Sequence, residues 1–250
     1  MKVRPLYSSS SGNACKITSD KTTLLIEAGV SYKKLVEANG EHLTPNAIFI
    51  THSHGDHING AGVIARKSGA PVYMLREAYV KKERLFSSCD VRHIKHGDEI
   101  VVGNLRVSVF DTRHDRPSVG FIITETTTGK RLAYLTDTGA IGKTVQMAIS
   151  DCDAYLLETD YDETELEKTA EYDDLLKERI KSPFGHLGNT QTLEYVKEHI
   201  DLNKVAWILL GHISTITNSP EIVKTRIESI IDKQYHDKFY LAPLEIALDL

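Results

Sequence analysis

Four side chains able to bind a metal ion fall within six residues of this chain: His52, His54, Asp56 and His57. If the backbone stays extended here, period-two geometry points the first two imidazoles to the same side. Gly55 permits a sharp turn that brings the next two side chains alongside. Imidazole and carboxylate ligands without thiolates suit zinc, manganese or iron. They predict an open, catalytic metal site rather than a closed structural one.

The apolar run from Ala47 to Ile50 predicts a buried strand directly before this loop. Polar residues that follow such a strand emerge at the end of the sheet, where ligand sites of open α/β sheets lie. The alternative is a solvated loop that happens to be rich in histidine. The density of ligand types beside a buried strand favours the metal site.

Strand-like and helix-like segments alternate along the chain. Runs rich in β-branched residues predict strands at 16–18, 23–26, 47–50, 71–74, 105–110, 120–123, 131–135, 154–157 and 205–210. Helical spacing of apolar residues occurs at 32–38, 58–67, 141–149, 166–180, 190–199 and 221–231. We expect two mixed β-sheets flanked by helices, an αββα four-layer sandwich, although periodicity alone also fits a doubly wound sheet. No linker or repeat divides the chain, which predicts a single domain over residues 1–250.

The composition is that of an ordinary soluble protein, with 41% hydrophobic and 26% charged residues among 250. A formal net charge of −5 gives no general attraction to nucleic acid, so such binding would need a local basic surface. The N-terminal residues lack an apolar leader segment, and no apolar stretch approaches the roughly 20 residues that span a bilayer. Three scattered cysteines fit a reducing compartment. We expect a cytoplasmic protein without a membrane partner.

The His-x-His-x-Asp-His motif resembles that of the metallo-β-lactamase superfamily, whose further ligands follow later strands. His114, Asp137 and His212 stand after predicted strands in the expected order. The resemblance implies two divalent metal ions, Zn²⁺ or Mn²⁺. His52, His54 and His114 would hold one ion, Asp56, His57 and His212 would hold the other, and Asp137 would bridge them. Taken singly, the later histidines could be surface residues, and Asp137 could be the N-cap of the helix near Ile141.

Five further motifs resemble the WalJ/YycJ branch of this superfamily: Tyr7–Asn13, His114–Asp115, Leu157–Asp162, Ser182–Asn189 and Gly211–Ser214 followed by Asn218–Pro220. The resemblance covers nearly the whole chain. It implies a nuclease related to tRNase Z, with 5′-to-3′ exonuclease activity on DNA. Glu27 stands where Asp is usual in the branch, and its longer side chain is expected to alter the support of the metal loop.

The tRNase Z resemblance also implies catalytic roles for Glu158 and His186, beside Asp56 as a catalytic metal ligand. Glu158 would orient His186, which would donate a proton to the leaving oxygen, a contribution of about 10²–10⁴-fold. His186 could instead cap a helix or contact a phosphate. Asn13, in a Ser/Gly/Asn turn, and Asn189, at a helix start, are candidate substrate contacts. An ordinary turn between two strands explains the first of these equally well.

Three hypotheses of function follow. The leading one is a dinuclear phosphodiesterase that hydrolyses nucleic acid, with DNA favoured. The second is a phosphodiesterase of a small cyclic or nucleotide-like metabolite, which the acidic net charge favours, and the third is a non-catalytic metal-binding module. The segment from Asp162 to Lys181 is expected to form either a helical arm at the rim of the active site or the contact of a homodimer. The candidate phosphate contacts are Lys81, Lys82, Arg84, Arg92, Lys95, Arg113, Arg116 and Lys181.

Overall fold

Two mixed seven-stranded sheets form the centre of the computed structural model, which describes residues 1–250. The first sheet contains β1 (Lys2–Ser9), β2 (Gly12–Ser19), β3 (Thr22–Ile26), β4 (Ala47–Phe49), β5 (Val72–Leu75), β6 (Val91–Ile94) and β14 (Leu248–Asp249). The second contains β7 (Glu99–Val102), β8 (Leu105–Asp111), β9 (Val119–Glu125), β10 (Arg131–Leu135), β11 (Ala154–Glu158), β12 (Trp207–Gly211) and β13 (Phe239–Leu241). Their orders are β14-β1-β2-β3-β4-β5-β6 and β13-β12-β11-β10-β9-β8-β7.

Nine α-helices cover the outer faces of the sheets or lie at their ends. They are α1 (Tyr32–Asn39), α2 (Gly55–Ile58), α3 (Ala61–Ser68), α4 (Arg76–Lys82), α5 (Lys143–Ile149), α6 (Glu163–Lys168), α7 (Asp174–Lys181), α8 (Asn189–His199) and α9 (Pro220–Ile230). Apolar residues of α1 and α3 pack on the first sheet, and those of α5, α8 and α9 pack on the second. No helix is both long and apolar enough to cross a membrane.

Both faces of the sheets are buried, and this explains the nearly continuous apolar strands. On β3, Leu24 and Ile26 point into the core between the sheets, whereas Leu25 packs under the outer helices. Phe49 and Phe121 meet edge to face across the central core, with ring centroids 5.7 Å apart. The predicted αββα four-layer sandwich with two mixed sheets is therefore confirmed.

The helix boundaries correct the sequence prediction at two places. The helix predicted over 58–67 corresponds to α3, which begins only at Ala61 because Gly60, whose backbone N–H donates to Ala28 O at 2.7 Å, separates it from the short helix α2. The single helix predicted over 166–180 is two helices, α6 and α7. Asp162 and Asp173 each accept hydrogen bonds from the first turn of one of them, so each helix has its own N-cap.

The sequence pattern also missed five strands, the eight-residue β1 and the shorter β6, β7, β13 and β14. Of these, β7, β13 and β14 are exposed along part of their length. Strands at or near a sheet edge lack a second buried face, so they show neither a continuous apolar run nor clean alternation. Their positions follow from pairing with distant strands, as when Val3 pairs with Leu248.

We predict that Gly60→Ala destabilises the fold. A Cβ at Gly60 would lie 2.0 Å from the carbonyl oxygen of Val30, a backbone atom that cannot move aside. We expect the free energy of unfolding, measured by urea denaturation, to fall by about 2–3 kcal/mol. In the control Gly142→Ala, the added Cβ meets only Arg113 side-chain atoms at 3.8 Å, so a small change is expected. Equal stability of the two variants would contradict the packing argument.

Candidate metal centre and active site

The predicted ligands all follow strand ends, either in loops or, for Asp56 and His57, in the short helix α2. The segment His52–His57 follows β4, His114 follows β8, Asp137 follows β10 and His212 follows β12. Because β10, β11 and β12 are parallel neighbours, their carboxyl ends meet at one edge of the second sheet. Loops from both sheets therefore converge at a common edge.

One cluster contains His52, His54, His114 and Asp137, with one donor atom from each lying within 4.8 Å of all the others. His54 Nδ1 lies 2.9 Å from His52 Nε2 and 3.1 Å from His114 Nε2. Asp137 Oδ1 lies 3.9 Å from both Nε2 atoms. The predicted ligands of one metal ion are thus brought together.

A second cluster contains Asp56, His57 and His212. Asp56 Oδ2 lies 3.1 Å from His57 Nε2 and 3.6 Å from His212 Nε2. Asp137 also reaches this cluster, since its Oδ2 is 3.2 Å from His57 Nε2 and its Oδ1 is 3.5 Å from His212 Nε2. Asp137 is therefore shared by both clusters, the position predicted for a bridging ligand.

Each imidazole of the two clusters has a polar group within 3.5 Å of its other nitrogen, and those at His57 Nδ1 and His212 Nδ1 are carboxylates at ion-pair distance without a hydrogen bond. The partners are the Thr51 hydroxyl for His52 at 2.9 Å, Asp115 for His54 at 3.1 Å, the Gly185 carbonyl for His114 at 3.0 Å, Glu27 for His57 at 3.5 Å, and Asp160 for His212 at 3.3 Å. Such outer contacts fix which nitrogen faces a metal and how the ring is oriented.

The contacts of His54 and His114 test whether a cation fits here. The Asp115 carboxylate and the Gly185 carbonyl can only accept hydrogen bonds, so they take the N–H of each ring. Burial and the nearby His114 lower the pKa of His54 to about 4, so this ring is neutral near pH 7. His54 Nδ1 and His114 Nε2 then face each other at 3.1 Å, an arrangement that a cation between them stabilises.

Unpaired buried atoms support the same conclusion. Asp137 Oδ2 and His212 Nε2 are buried without a hydrogen-bond partner, which is costly unless another ligand binds them. Burial raises the pKa of Asp137, but His212 and His57 hold it well below its usual range, so the carboxylate is ionised. The donor set of imidazoles and carboxylates therefore fits a divalent metal ion.

Two of the ligands adopt an unusual backbone conformation. Asp137 has φ of 53° and His212 has φ of 57°, in the left-handed region that non-glycine residues rarely occupy. Strain of this kind persists only where the surroundings over-determine it, and it concentrates at functional sites. Ser8 contributes to that support because its hydroxyl accepts a hydrogen bond from the His212 backbone N–H at 2.7 Å.

Glu158 and His186 form a pair beside the metal ligands. Glu158 is fully buried, and its Oε1 lies 2.6 Å from His186 Nδ1. Its Oε2 accepts from the backbone N–H of Thr138 at 3.0 Å and of Leu187 at 3.3 Å. Burial disfavours the charged imidazolium, but Asp160 and Glu158 raise the pKa of His186 to about 9. The His186 side chain retains 17% exposure, so a substrate can reach it.

The two predicted asparagine contacts have different environments. Asn13 Nδ2 lies 3.2 Å from Asp56 Oδ2 and 3.1 Å from His57 Nε2, so Asn13 contacts the ligands themselves. Asn189 is fully buried, and its amide exchanges hydrogen bonds of 3.0 and 2.8 Å with that of Asn218. A direct substrate contact by the Asn189 side chain does not fit this position. Its role is to join α8 to the segment that follows His212.

Two acidic residues near the ligands have contacts that the sequence motifs did not predict. Asp115 contacts His54 and Asp160 contacts His212. The sequence could have indicated these contacts, because both residues stand beside a predicted ligand or a predicted strand end. Glu27 was expected to alter the support of the loop, and it reaches both His57 and the Thr51 backbone N–H. The longer side chain retains contact with the metal loop.

The model of the Beta-lactamase superfamily domain matches residues 22–212. The chain belongs to the metallo-β-lactamase superfamily. It is a metal-dependent hydrolase, with clusters of His and Asp side chains that could hold a metal ion.

Two relatives and one solved structure illustrate the range of similarity. The exodeoxyribonuclease WalJ of Streptococcus pneumoniae is 33% identical over 226 residues, which cover 87% of this chain and 83% of the relative. The exodeoxyribonuclease YycJ of Bacillus anthracis is 29% identical over 238 residues, 92% of this chain and 88% of the relative. The human tRNase Z short form shares the fold, with a TM-score of 0.67 and 16% identity over 100% of this chain and 99% of that one. The predicted resemblance to the WalJ/YycJ branch is confirmed.

We predict that Asp115→Ala weakens metal binding without unfolding the protein. Loss of the acceptor at His54 Nε2 frees the ring to rotate, and losses of about 10–100-fold in metal affinity are typical of such changes. Competition with a chromophoric chelator measures this affinity. Asp111→Ala removes an exposed carboxylate from the end of the same loop and serves as the matched control. Unchanged affinity in Asp115→Ala would show that the contact does not orient His54.

Proposed function

We propose that this hydrolase is a dinuclear metal-dependent phosphodiesterase that degrades nucleic acid, as a DNA exonuclease acting in the 5′-to-3′ direction. The observation that carries the proposal is the Glu158–His186 pair, in contact at 2.6 Å beside both ligand clusters. An alkoxide leaving group needs a proton, and a partly exposed imidazole beside the metal ligands can donate it. The names of the WalJ and YycJ relatives support DNA as the polymer.

The residues fit two divalent ions, Zn²⁺ or Mn²⁺. His52, His54 and His114 would hold one, Asp56, His57 and His212 would hold the other, and Asp137 would contact both. When bound, such a pair supplies Lewis acidity that activates water and neutralises charge developing on the phosphoryl oxygens.

Asp56 is suited to orient the attacking water as well as to bind metal. Its side chain is 22% exposed, whereas that of Asp137 is 1% exposed. Burial raises the pKa of Asp56, but His57 and His212 hold it well below its usual range. The ionised carboxylate can therefore accept a hydrogen bond from water and direct the water's lone pair toward phosphorus.

His186 would complete the reaction by protonating the leaving oxygen of the P–O bond that breaks. Its Nδ1–H donates to Glu158, and in the imidazolium its Nε2–H remains for the leaving oxygen. As the P–O bond breaks, that oxygen takes the proton from Nε2. Because the Glu158 carboxylate is held by two backbone N–H groups, it positions His186 and stabilises its charged form.

We predict that the metal-loaded protein releases nucleotides from DNA labelled at its 5′ end before it shortens the 3′ end. Single- and double-stranded DNA and RNA should be compared with Mn²⁺, Zn²⁺ and Mg²⁺. Asp56→Ala, prepared identically, should lose nearly all activity. If no polymer is cleaved while bis-p-nitrophenyl phosphate or cyclic nucleotides are, a small phosphodiester is the substrate. Initial release from 3′ ends would reverse the proposed polarity.

We predict that His186→Ala slows DNA cleavage by about 10²–10⁴-fold with metal content unchanged. Hydrolysis of bis-p-nitrophenyl phosphate should fall far less, because p-nitrophenolate leaves without a proton. This leaving-group comparison separates proton donation from a structural role. His199→Ala removes a half-exposed histidine bonded to Gln146 and should leave both rates unchanged. Loss of metal, or equal slowing on both substrates, would rule out the general-acid role.

A further inference from the structure

A groove of about 820 Å³ opens beside the metal ligands. His114 and Asp115 form one part of its wall, so it is continuous with the first ligand cluster. The rest of the wall comes from the start of α4, from β6 and the turn after it, and from the loop between β8 and β9. These segments hold none of the metal ligands except His114.

Four cations line the groove: Arg76, Lys95, Arg113 and Arg116. None has a carboxylate within 4 Å, whereas Arg92, Arg179 and Lys181 elsewhere each have an acidic partner. The four are exposed. The four cationic side chains therefore lie unpaired in the groove, whose lining also holds four carboxylates, those of Glu77, Asp98, Asp111 and Asp115.

Most of the carboxylates in the groove already have partners. Asp98 accepts the Lys95 backbone N–H at 3.0 Å, and Asp111 lies 3.9 Å from His96. Asp115 faces His54. None of the four carboxylates forms an ion pair with Arg76, Lys95, Arg113 or Arg116, so these four cations remain available to an anion.

Phe184 supplies an aromatic surface in the same groove. It is 58% exposed, unusual for so large an apolar side chain, and it lies two residues before His186. Exposed aromatic rings beside cations are typical of sites that bind single-stranded nucleic acid, because bases stack on the ring while phosphates contact the cations. A small phosphodiester would engage the metal ligands without needing this wall.

We infer that the groove binds the strand of single-stranded nucleic acid adjoining the scissile phosphate, with a base stacked on Phe184 and phosphates on Arg113 and Arg116. The inference rests on the proposed nuclease activity and adds where the polymer lies. The groove is lined by three of the eight candidate phosphate contacts predicted from the sequence, Lys95, Arg113 and Arg116. It is also lined by Arg76, which was not among those eight. Arg92 and Lys181 are paired with acidic neighbours and are left out.

The charge component is tested with Arg113→Gln/Arg116→Gln in the metal-loaded protein. The probe is a fluorescent oligothymidylate with phosphorothioate linkages, followed by anisotropy at several salt concentrations. The slope of log affinity against log salt should fall by about 1.4, since each phosphate contact on a single strand contributes about 0.7. The control Lys197→Gln/Lys224→Gln removes two exposed charges from α8 and α9 and should keep the wild-type slope. Equal slopes for all three proteins overturn the assignment.

The stacking component is tested with Phe184→Leu and Phe184→Trp. Leucine keeps apolar volume but removes the aromatic face, so affinity should fall roughly tenfold. Tryptophan should retain affinity, and its fluorescence should be quenched by the oligonucleotide. The wild type, whose single Trp207 is buried, provides the background signal. Wild-type affinity in the leucine variant, or no quenching in the tryptophan variant, overturns the stacking contact.

Different experimental results would contradict the nuclease proposal and the groove assignment. If the wild type digests DNA or RNA and the groove variants bind and digest equally well, the groove assignment is wrong and the nuclease proposal stands. If the wild type digests no polymer, the nuclease proposal fails and the groove assignment fails with it. Circular dichroism of each variant verifies that folding is unchanged.

Discussion

Asp137 lies almost fully buried, with its carboxylate within 4 Å of five imidazoles. These belong to His52, His57, His114, His186 and His212. A charged group removed from water is costly unless its surroundings compensate it, and here the compensating groups come from four separate loops. The strands β4, β8, β10 and β12 must therefore end at the same place, and the segment between α7 and α8 must bring His186 there. The rest of the fold holds these loop ends in position around one buried carboxylate.

The layered architecture provides this positioning through rigid, doubly buried sheets. Parallel pairing of β10, β11 and β12 brings Asp137, Glu158 and His212 to one edge. Left-handed backbone at Asp137 and His212 turns both side chains toward the site just past the strand ends. That strain is tolerable because the strands before it are buried on both sides and cannot shift independently. The rigid packing of the sheets therefore holds Asp137 and His212 in fixed positions at the site.

The sequence revealed the local part of the site and needed a family resemblance for the rest. His52 to His57 could be interpreted directly, because six residues and one glycine determine their own geometry. Asp137 and His212 meet only because of strand order, which no local pattern contains. Asn189 illustrates the opposite error, since a polar residue at a helix start suggests a ligand contact. Its partner Asn218 is 29 residues away in sequence. The helix boundaries and the edge strands were missed for the same reason, since they too depend on contacts between residues that are distant in sequence.

Glu158 contacts both the proposed proton donor, His186, and the proposed metal ligand His212. Its Oε1 lies 2.6 Å from His186 Nδ1 and 3.3 Å from His212 Nδ1, so one oxygen serves the proton donor and a metal ligand together. His186 and His212 are therefore held at fixed positions relative to each other. Neither can move independently to suit a different substrate. Selection among phosphodiesters must therefore come from surfaces outside this rigid centre. The cations and the exposed Phe184 beside His114 are such a surface, which is why the groove rather than the metal ligands should distinguish a polymer from a small metabolite.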